Sequence, residues 1–576
     1  MVGTAEVHRA GKGELSGLVD ADPITTEVVR HGLMSCAEQM KRTVIRTSFS
    51  PVIYETLDFA VAIYDDRMRM LAQAPTLPFF MGVLSMAVDA ALESAGGADA
   101  VQPGDILLYN VPYETGSHPP DAALAMPIFS NDGQVRLGYA AIMAHWLDIG
   151  AKDPYCTDTV DVYQEGTKFP GVRLYQAGKP NEDVFKIIKA NSRMPRMVVG
   201  DINAQIAALQ MGARAVADLV ERHGVQPFGQ AVERMLDHGE MMVRDYISRI
   251  PNGRYVGQGM MDDNGVDDTP LPFEIAVEVE DTTVRLDFRN APAAQPTPIN
   301  AVLPATISCS RVALSMLAGG GEPPNEGHFR PIEVVTTPGS MFHPLPPSPC
   351  FLGWPVVQAF DVIFSALTQA MPGTAPAWSG GDILAMVWWG ERERTGEAWI
   401  DGCPHPVGQG ASGSADGANA LMHSSESATR LTPVEVWETR NPWVVEKVEL
   451  AQDSGGPGQF RGGVGLDVVI RATEDAWLTS VVERTRNGAP GVDGGGGARP
   501  NGVTLEYPDG TPRSLSKATR VHVPKGATVE VRTGGGGGHG PPAERDPEAV
   551  LDDLADGYIS TSEAERCYPH ALGRRD

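Results

Sequence analysis

The 576-residue chain has no long hydrophobic run and comparatively few positive charges. No segment approaches the roughly 20 consecutive apolar residues of a membrane-spanning helix, so we expect no integral membrane protein. Lys and Arg number 46 against 73 Asp and Glu, which gives a formal net charge of −27. A surface of that sign repels phosphate backbones and anionic lipid headgroups. The composition therefore argues against nucleic-acid binding and against attachment to a membrane surface.

Cysteine is sparse, and its spacing excludes two common roles. Six cysteines in a chain of this length do not make a disulfide scaffold, and no two of them form a CxxC pair. The first residues show neither an apolar segment nor a secretory cleavage pattern. We therefore expect a cytoplasmic protein whose thiols are small, buried, apolar groups. The cysteines are Cys36, Cys156, Cys309, Cys350, Cys403 and Cys567.

Glycine is abundant, but not in the patterns that bind nucleotides. No cluster reads GxGxxG between a strand and a helix, and none reads GxxxxGK[ST], so we expect no autonomous ATP site. No GxSxG nucleophile elbow occurs either. The clusters are more typical of tight turns in a β-rich region, or of a backbone approach to a ligand or another subunit. They are Gly455-Gly456, Gly462-Gly463, Gly494 to Gly497 and Gly534 to Gly538.

The chain does contain long stretches of helical periodicity next to separate strand patterns. Apolar residues recur at helical spacing after Asp22-Pro23, where aspartate can cap a helix and proline suits its first position. A helical block fills about residues 182–250, and residues 273–289 alternate strictly, as in a half-buried hairpin. Beyond about residue 430 the chain is rich in short strand patterns. Separate helical and strand regions predict an α+β, multidomain protein with a β-rich C-terminal domain.

The changes in pattern divide the chain into four parts, as its length leads us to expect. We predict a flexible N-terminus over residues 1–21 and a metal-site domain over residues 22–225. A central α+β domain would cover residues 226–440, and the β-rich C-terminal domain residues 441–576.

The metal prediction begins with two copies of the pattern H-x-x-D. These are His118-Pro119-Pro120-Asp121 and His145-Trp146-Leu147-Asp148, which lie where predicted strands end in loops. The turn Asn131-Asp132-Gly133 can bring them side by side as a hairpin. Imidazole and carboxylate groups are ligands of catalytic Zn, Mn or Fe. Asp58 lies inside the apolar run LDFAVAIY, where an unpaired carboxylate is costly, and is a natural further ligand.

The spacing of these residues does not by itself settle their role. H-x-x-D is a short pattern, and ordinary loop and cap residues produce it as well. The alternative is that these side chains pair among themselves without a metal.

A second group of polar residues begins at Tyr163-Gln164-Glu165-Gly166 and ends at Asp201 and Gln205. Glu165 could act as a general base. Asp201 and Gln205 are four residues apart and would project from one helix face. Capping and mutual pairing are the commoner roles of such groups, and we favour a structural role on the pattern alone.

Several segments, taken in order from about residue 22 to 567, resemble the hydantoinase B/oxoprolinase family. They are LDFAVAIYDDRMRMLAQAP, GDILLYNVPYETGSHPPDAALAMPIF, AHWLDIGA, VYQEGTKFPGV, KANSRMP, GDINAQIAA, EPPNEGHFRPIEV, DSGGPGQFRGGVGL and TGGGGGHGPPAERDPEAVLDDLADGYIS. The family includes N-methylhydantoin hydrolases, 5-oxoprolinases, lactamases and the related acetone and acetophenone carboxylases. In these systems a larger kinase-like subunit uses ATP to phosphorylate the substrate amide or enol, or bicarbonate.

The resemblance implies a metal-dependent subunit of an ATP-dependent cyclic amide hydrolase. A ketone carboxylase subunit and a non-catalytic scaffold are the alternatives. The implied partner is a kinase-like hydantoinase A/oxoprolinase-type subunit in a hetero-oligomer, two copies of each, acting on a small amide or ketone. The implied ligands of the divalent metal (Zn, Mn or Fe) are Asp58, His118, His145 and Asp148. Asp121 would be a fifth ligand or hold an imidazole N–H, and Asp121 and Glu165 are the candidate catalytic residues.

Two motifs depart from the family pattern. The usual N-D-P-Y reads Asn110-Val111-Pro112-Tyr113, which removes an acidic residue and keeps the scaffold alternative open. The usual H-H-A-D-I-G-G reads His145-Trp146-Leu147-Asp148-Ile149-Gly150-Ala151, which is bulkier and more apolar. A more apolar site could suit a lactam or an aromatic ketone.

Overall fold

The computed structural model describes residues 22–318 and 323–573. The predicted flexible N-terminus, residues 1–21, lies outside the described residues. In the described part, long helices and four β-sheets occupy different stretches of the chain, which confirms the α+β, multidomain prediction. The predicted domain boundaries stay a prediction. None of the described helices combines the length and apolar character that a membrane crossing requires.

The helices begin where the sequence offers local start signals. The side chain of Asp22 accepts hydrogen bonds from the backbone N–H groups of Ile24 and Thr25, and Pro23 takes the first helical position. The predicted helical block over residues 182–250 is also present, as three helices. The helices are α1 (Pro23–Thr47), α2 (Pro51–Tyr54), α3 (Pro78–Met81), α4 (Leu84–Ser94), α5 (Pro112–Thr115), α6 (Glu182–Ala190), α7 (Pro195–His223), α8 (Val225–Ile247), α9 (Leu303–Ala318), α10 (Pro355–Ala370), α11 (Val434–Arg440), α12 (Pro547–Ala555), α13 (Thr561–Cys567) and α14 (Pro569–Leu572).

The described strands form four sheets, and the strands of the two C-terminal sheets alternate along the chain. Strands β1 to β7 form the N-terminal sheet, β8 to β11 the central sheet, and the remaining strands two C-terminal sheets. The strands are β1 (Phe59–Asp65), β2 (Met70–Gln73), β3 (Ile106–Tyr109), β4 (Asp121–Phe129), β5 (Arg136–His145), β6 (Pro170–Gln176), β7 (Lys179–Pro180), β8 (Gly253–Met261), β9 (Leu271–Glu280), β10 (Thr283–Asp287), β11 (Ile332–Val335), β12 (Ala385–Glu391), β13 (Ala398–Cys403), β14 (Trp443–Leu450), β15 (Leu466–Ala472), β16 (Ala476–Val481), β17 (Gly502–Glu506), β18 (Pro512–Leu515), β19 (Ala518–Val523) and β20 (Thr528–Arg532).

The N-terminal sheet is buried on both faces, which explains its continuous apolar strands. Its order is β2-β1-β5-β4-β3-β6-β7, and each neighbouring pair is antiparallel. Alternate side chains of β1 point to opposite faces. Phe59 packs in one core with residues of α1 and α7, and Ala60 packs in another with residues of α4, α9 and α10. A strand between two cores needs apolar residues at every position.

The glycine clusters mainly pack backbone against backbone, rather than forming the tight turns that the sequence suggests. Gly456 donates its N–H to the carbonyl of Gly536 (2.8 Å), and Gly536 donates to Gly463 (2.9 Å). A Cβ on Gly536 would lie 1.9 Å from the carbonyl oxygen of Gln409. Glycine is therefore required here by the close approach of neighbouring segments of the same chain.

Candidate metal centre

Three neighbouring strands of the N-terminal sheet bring two carboxylates and an imidazole to one end of the sheet. Strand β4 begins at Asp121, and β5 ends at His145, which is the direct partner of Asp121 in the antiparallel register. On the other side of β5, the backbone N–H of His145 donates to the carbonyl of Asp58 at 3.2 Å. The predicted hairpin between β4 and β5 is present, and it aligns the two H-x-x-D segments.

His118 reaches the same place from the loop that precedes β4. This loop is fixed by the side-chain amide of Asn110, which donates to the carbonyl oxygens of Pro119 (2.7 Å) and Thr167 (2.9 Å). Asn110 belongs to the N-V-P-Y motif, so the motif still positions the loop although its acidic residue is replaced. Val111 packs against a hydrophobic core and is not among the residues that line the cavity described below.

The side chains of His118, Asp121 and His145 form a compact triangle. His118 Nε2 lies 3.0 Å from His145 Nδ1 and 3.2 Å from Asp121 Oδ1, and His145 Nδ1 lies 3.0 Å from the same oxygen. Ligand atoms that are each about 2.1 Å from one ion lie roughly 3.0 to 3.4 Å apart. Among the described residues, these three form the group of His, Cys, Asp and Glu with metal-ligand spacing. The triangle therefore fits a divalent ion.

The hydrogen bonding of His118 favours the same interpretation. Its Nδ1 lies 2.7 Å from the carbonyl oxygen of Phe351. A carbonyl can only accept, so Nδ1 carries the proton, and in the neutral ring Nε2 presents a lone pair to the triangle. Metal-binding histidines commonly donate their other N–H to a carbonyl or carboxylate in this way.

The electrostatics of the cluster follow from burial and close charges. Burial opposes ionisation of Asp121, but the two imidazoles outweigh it and hold the pKa of Asp121 below its ordinary value. Burial likewise opposes protonation of His118, yet Asp121 raises the pKa of His118 overall. Burial raises the pKa of Asp58 to about 6, although His145 pulls it the other way. A cation in this place would offset the cost of burying the carboxylates.

Asp148, the fourth predicted ligand, is not brought into the triangle. Its Oδ1 accepts from Arg193 Nη2 (2.6 Å) and Nε (3.1 Å), and its Oδ2 accepts from the backbone N–H of Arg193. Its carboxylate is almost fully buried in this ion pair. Of the second H-x-x-D motif, His145 therefore belongs to the cluster, whereas Asp148 anchors the loop that contains Arg193.

Glu165 lies behind the cluster, where it fixes the loop that contacts His118. Its Oε1 accepts from the hydroxyl of Thr159 (2.9 Å) and from the backbone N–H groups of Cys350 (2.8 Å) and Phe351 (3.0 Å). Burial raises the pKa of Glu165 to about 7, against the opposing effect of these donors. Its predicted role as a general base stays a prediction. The contacts themselves place it as a support for Phe351.

Asp201 and Gln205 hold neighbouring segments. Asp201 accepts from the backbone N–H groups of Phe49 (2.7 Å) and Ser50 (3.0 Å). Gln205 accepts from the indole N–H of Trp146 (2.9 Å), the residue that follows His145. These contacts agree with the structural role that the sequence pattern favours.

The structure adds a carboxyl group that the sequence analysis missed. Glu426 ends a short 3₁₀ turn, Ser424–Glu426, and faces the same cavity as Asp58 and Asp121. Burial, followed by the charges of those two aspartates, raises the pKa of Glu426 well above its ordinary value. Its local sequence, HSSES, has no periodicity or motif that indicates a site. Only the packing of distant segments reveals it.

The cavity beside the cluster has a volume of about 130 Å³. Segments that are far apart in the sequence, between residues 52 and 429, form its wall. The N-terminal part supplies the cluster with Phe80 and Tyr155, residues 300–305 and 350–357 supply a second side, and residues 383–387, 402–404 and 425–429 supply a third.

A family model and a sequence relative both match nearly the whole chain. A family model described as hydantoinase B/oxoprolinase matches residues 22–542. The chain is 28% identical over 571 residues to caprolactamase subunit beta of Pseudomonas jessenii, covering 95% of this chain and 96% of that protein.

Two solved structures share the fold over nearly the whole chain. The crystal structure of ATP-dependent caprolactamase from Pseudomonas jessenii matches with a TM-score of 0.85 and 26% identity, covering 95% of this chain and 96% of that one. The nucleotide-free structure of acetone carboxylase matches with a TM-score of 0.87 at 19% identity, covering 96% and 80%. The second likeness is one of fold alone.

Proposed function

The chain belongs to the hydantoinase B/oxoprolinase family, and we propose that it is the metal-binding subunit of an ATP-dependent enzyme that hydrolyses cyclic amides. Hydantoin, oxoproline and lactam rings are the candidate substrate types. The substrate would be activated by phosphorylation in a kinase-like partner subunit, so that ATP is used there. The subunit name of the caprolactamase relative supports a hetero-oligomer.

The observation that carries the proposal is the triangle of His118 Nε2, His145 Nδ1 and Asp121 Oδ1. These three atoms are 3.0–3.2 Å apart, and they face a cavity of about 130 Å³. Asp58 lines the same cavity and would extend the set to two imidazoles and two carboxylates, a donor set that suits Zn, Mn or Fe. A divalent ion held there would supply Lewis acidity toward a substrate carbonyl.

Side chains of this subunit would orient the ligands of the ion, shield the site and hold a proton. Asp121 Oδ1 lies within 3.0–3.2 Å of a nitrogen of both imidazoles, and the carbonyl of Phe351 holds the proton of His118 on Nδ1. The apolar wall limits the access of bulk water to the reacting carbonyl. Glu426 presents a carboxyl group to the same space, where it can hold a proton or orient a polar atom of the substrate.

A ketone carboxylase subunit is the second candidate. It is favoured by the largely apolar cavity wall, which suits a ketone as well as a lactam. The non-catalytic scaffold is disfavoured because the three clustered groups and their supporting hydrogen bonds are all in place, and Val111 removes none of them.

The test is ATP turnover by the chain co-expressed with its kinase-like partner. ADP release that depends on a cyclic amide and not on bicarbonate supports hydrolysis, whereas release that requires a ketone and bicarbonate supports carboxylation. No turnover with any candidate supports the scaffold. Elemental analysis of the wild type, His118→Ala and His145→Ala should show metal only in the wild type. His31→Ala, which changes an exposed histidine on α1, is the matched control and should keep its metal.

A further inference from the structure

The wall of the cavity beside the metal cluster is mostly hydrocarbon. Apolar side chains from segments far apart in the sequence contribute, among them Phe80, Leu352, Val356, Ile383 and Val387. Such a wall binds the apolar part of a ligand by removing it from water, and it offers no hydrogen bonds to a charged group.

Apart from two imidazoles, the titratable side chains near the polar end of the cavity are carboxyl groups. Asp58, Asp121 and Glu426 present three carboxyl groups, and no Lys or Arg is among the described residues that line the cavity. The only titratable nitrogen bases in that lining are the imidazoles of His118 and His145, which are committed to the cluster. A divalent ion held by Asp58 and Asp121 would be balanced by their two negative charges, so the site would gain no net positive charge to attract a carboxylate.

A carboxylate brought in by a ligand would lose its hydration in this cavity, and no Lys or Arg among the described lining residues would pair with it.

The size of the cavity restricts the ligand further. Its volume of about 130 Å³ is close to that of engineered protein cavities, about 150 Å³, that take up one benzene molecule. Drug-sized ligands occupy pockets of about 300–1,000 Å³. One small ring or a short chain is therefore what fits.

We infer that this site takes a small, uncharged substrate whose carbonyl faces the His118–Asp121–His145 cluster, and that it rejects amides bearing a carboxylate, such as 5-oxoproline. This inference rests on the proposed function and narrows its substrate class. Within the cyclic amides it selects simple lactams and unsubstituted or alkyl hydantoins. Glu426 is the residue that we assign to this selection, because it is the carboxyl group of the described lining that lies outside the proposed metal ligands Asp58 and Asp121.

Two molecules that differ only in the carboxylate test the inference. 2-Pyrrolidone and 5-oxoproline share one lactam ring, and their binding to the full chain with Zn²⁺ can be compared by saturation-transfer NMR and competition. We expect 2-pyrrolidone to bind at least about tenfold more tightly, the ratio that corresponds to about 1.4 kcal/mol. Equal binding, tighter binding of 5-oxoproline, or no binding of either probe would overturn the inference.

A charge reversal at Glu426 identifies the residue responsible. Glu426→Lys should shift the preference toward 5-oxoproline by at least about tenfold, whereas Glu435→Lys, the same change at an exposed residue of α11, should leave the ratio unchanged. Glu426→Gln should still bind the uncharged 2-pyrrolidone more tightly than 5-oxoproline, because this change adds no cation to the lining. If both lysine variants change the ratio alike, the assignment to Glu426 is wrong.

The binding ratio is measured without ATP or a partner, so it is separate from the test of the proposed function. Absence of amide-dependent ADP release by the complex would refute the hydrolase and leave the ratio intact. Conversely, efficient ATP-dependent opening of 5-oxoproline by the complex would confirm the hydrolase and overturn the inference.

Discussion

His118 donates its Nδ1 proton to the carbonyl oxygen of Phe351 at 2.7 Å, although the two residues belong to different parts of the chain. The same peptide segment is held from behind by Glu165, which accepts the N–H groups of Cys350 and Phe351. A buried carboxyl group is thus coupled to the orientation of an imidazole in the candidate metal centre. It acts through the backbone, without touching the cluster itself.

The first prediction is that removing the carboxyl group of Glu165 weakens metal binding. In Glu165→Ala the two N–H groups lose their acceptor, and the Phe351 carbonyl no longer holds His118 firmly. Changes to groups that orient a metal ligand typically cost about 10- to 100-fold in metal affinity. We expect that loss in a chelator competition assay, with most of it restored in Glu165→Gln because the amide oxygen still accepts.

Glu182→Ala, which changes an exposed glutamate at the start of α6, is the control and should bind metal normally. If Glu165→Gln binds metal normally but loses all turnover, Glu165 acts in the chemistry as a base, and the positioning role is insufficient.

The second prediction concerns pH and the stability contribution of Glu165. Its pKa is raised from 4.5 to about 7 in the folded chain, so the folded state holds a proton that the unfolded state has released. Stability therefore falls as pH rises from about 4.5 to about 7, and the loss from this group is about 3 kcal/mol. Glu165→Gln should flatten that fall. Urea unfolding of both proteins at pH 5 and pH 7.5 measures the difference, and an unchanged slope would contradict the prediction.

The third prediction separates Asp148 from the cluster. Asp148→Asn removes the negative charge that pairs with Arg193. The chain should therefore lose about 1–3 kcal/mol of stability. Its metal content should nevertheless match that of the wild type, because its carboxylate is not in the triangle. Asp121→Asn, in contrast, should contain less metal than the wild type, because its carboxylate is part of the triangle. Elemental analysis with thermal unfolding decides the matter, and metal loss in Asp148→Asn would restore it as a ligand.

The contrast between Asp121 and Asp148 shows which features of the candidate site can be predicted from the sequence. Both end an H-x-x-D pattern, and the hairpin turn at Asn131 correctly predicts that the two motifs are aligned. The role of each aspartate depends on which distant side chain approaches it. Asp121 meets His145 across β4 and β5, whereas Asp148 meets Arg193 in the loop that precedes α7. Spacing within a motif contains no information on that choice.

Local signals predicted the elements well, and long-range packing accounts for what was missed. Asp22 and Pro23 start α1 as expected, because capping depends on residues within one turn. Glu426 reaches the cavity only because residues 425–429 pack beside segments that are distant in the sequence, among them residues 350–357 and the metal cluster. The local pattern of the glycine clusters favours turns, with a backbone approach to a ligand or another subunit as the alternative, and it cannot show that their neighbours are other segments of the same chain.

The last prediction tests the glycine packing directly. In Gly536→Ala the new Cβ would lie 1.9 Å from the carbonyl oxygen of Gln409 and 2.2 Å from its carbon. Both atoms belong to the backbone, which cannot move aside as a flexible side chain would, so we expect a loss of more than about 3 kcal/mol of stability.

Gly229→Ala is the matched control, because Gly229 lies in α8 and a Cβ there would meet nothing within 4 Å. Alanine is the better helix former by about 0.5–1 kcal/mol, so this variant should be as stable as the wild type or slightly more so. Thermal unfolding of the two variants compares them. A Gly536→Ala protein that unfolds at the wild-type temperature would show that the segments can separate without cost, and glycine would then be dispensable at this position.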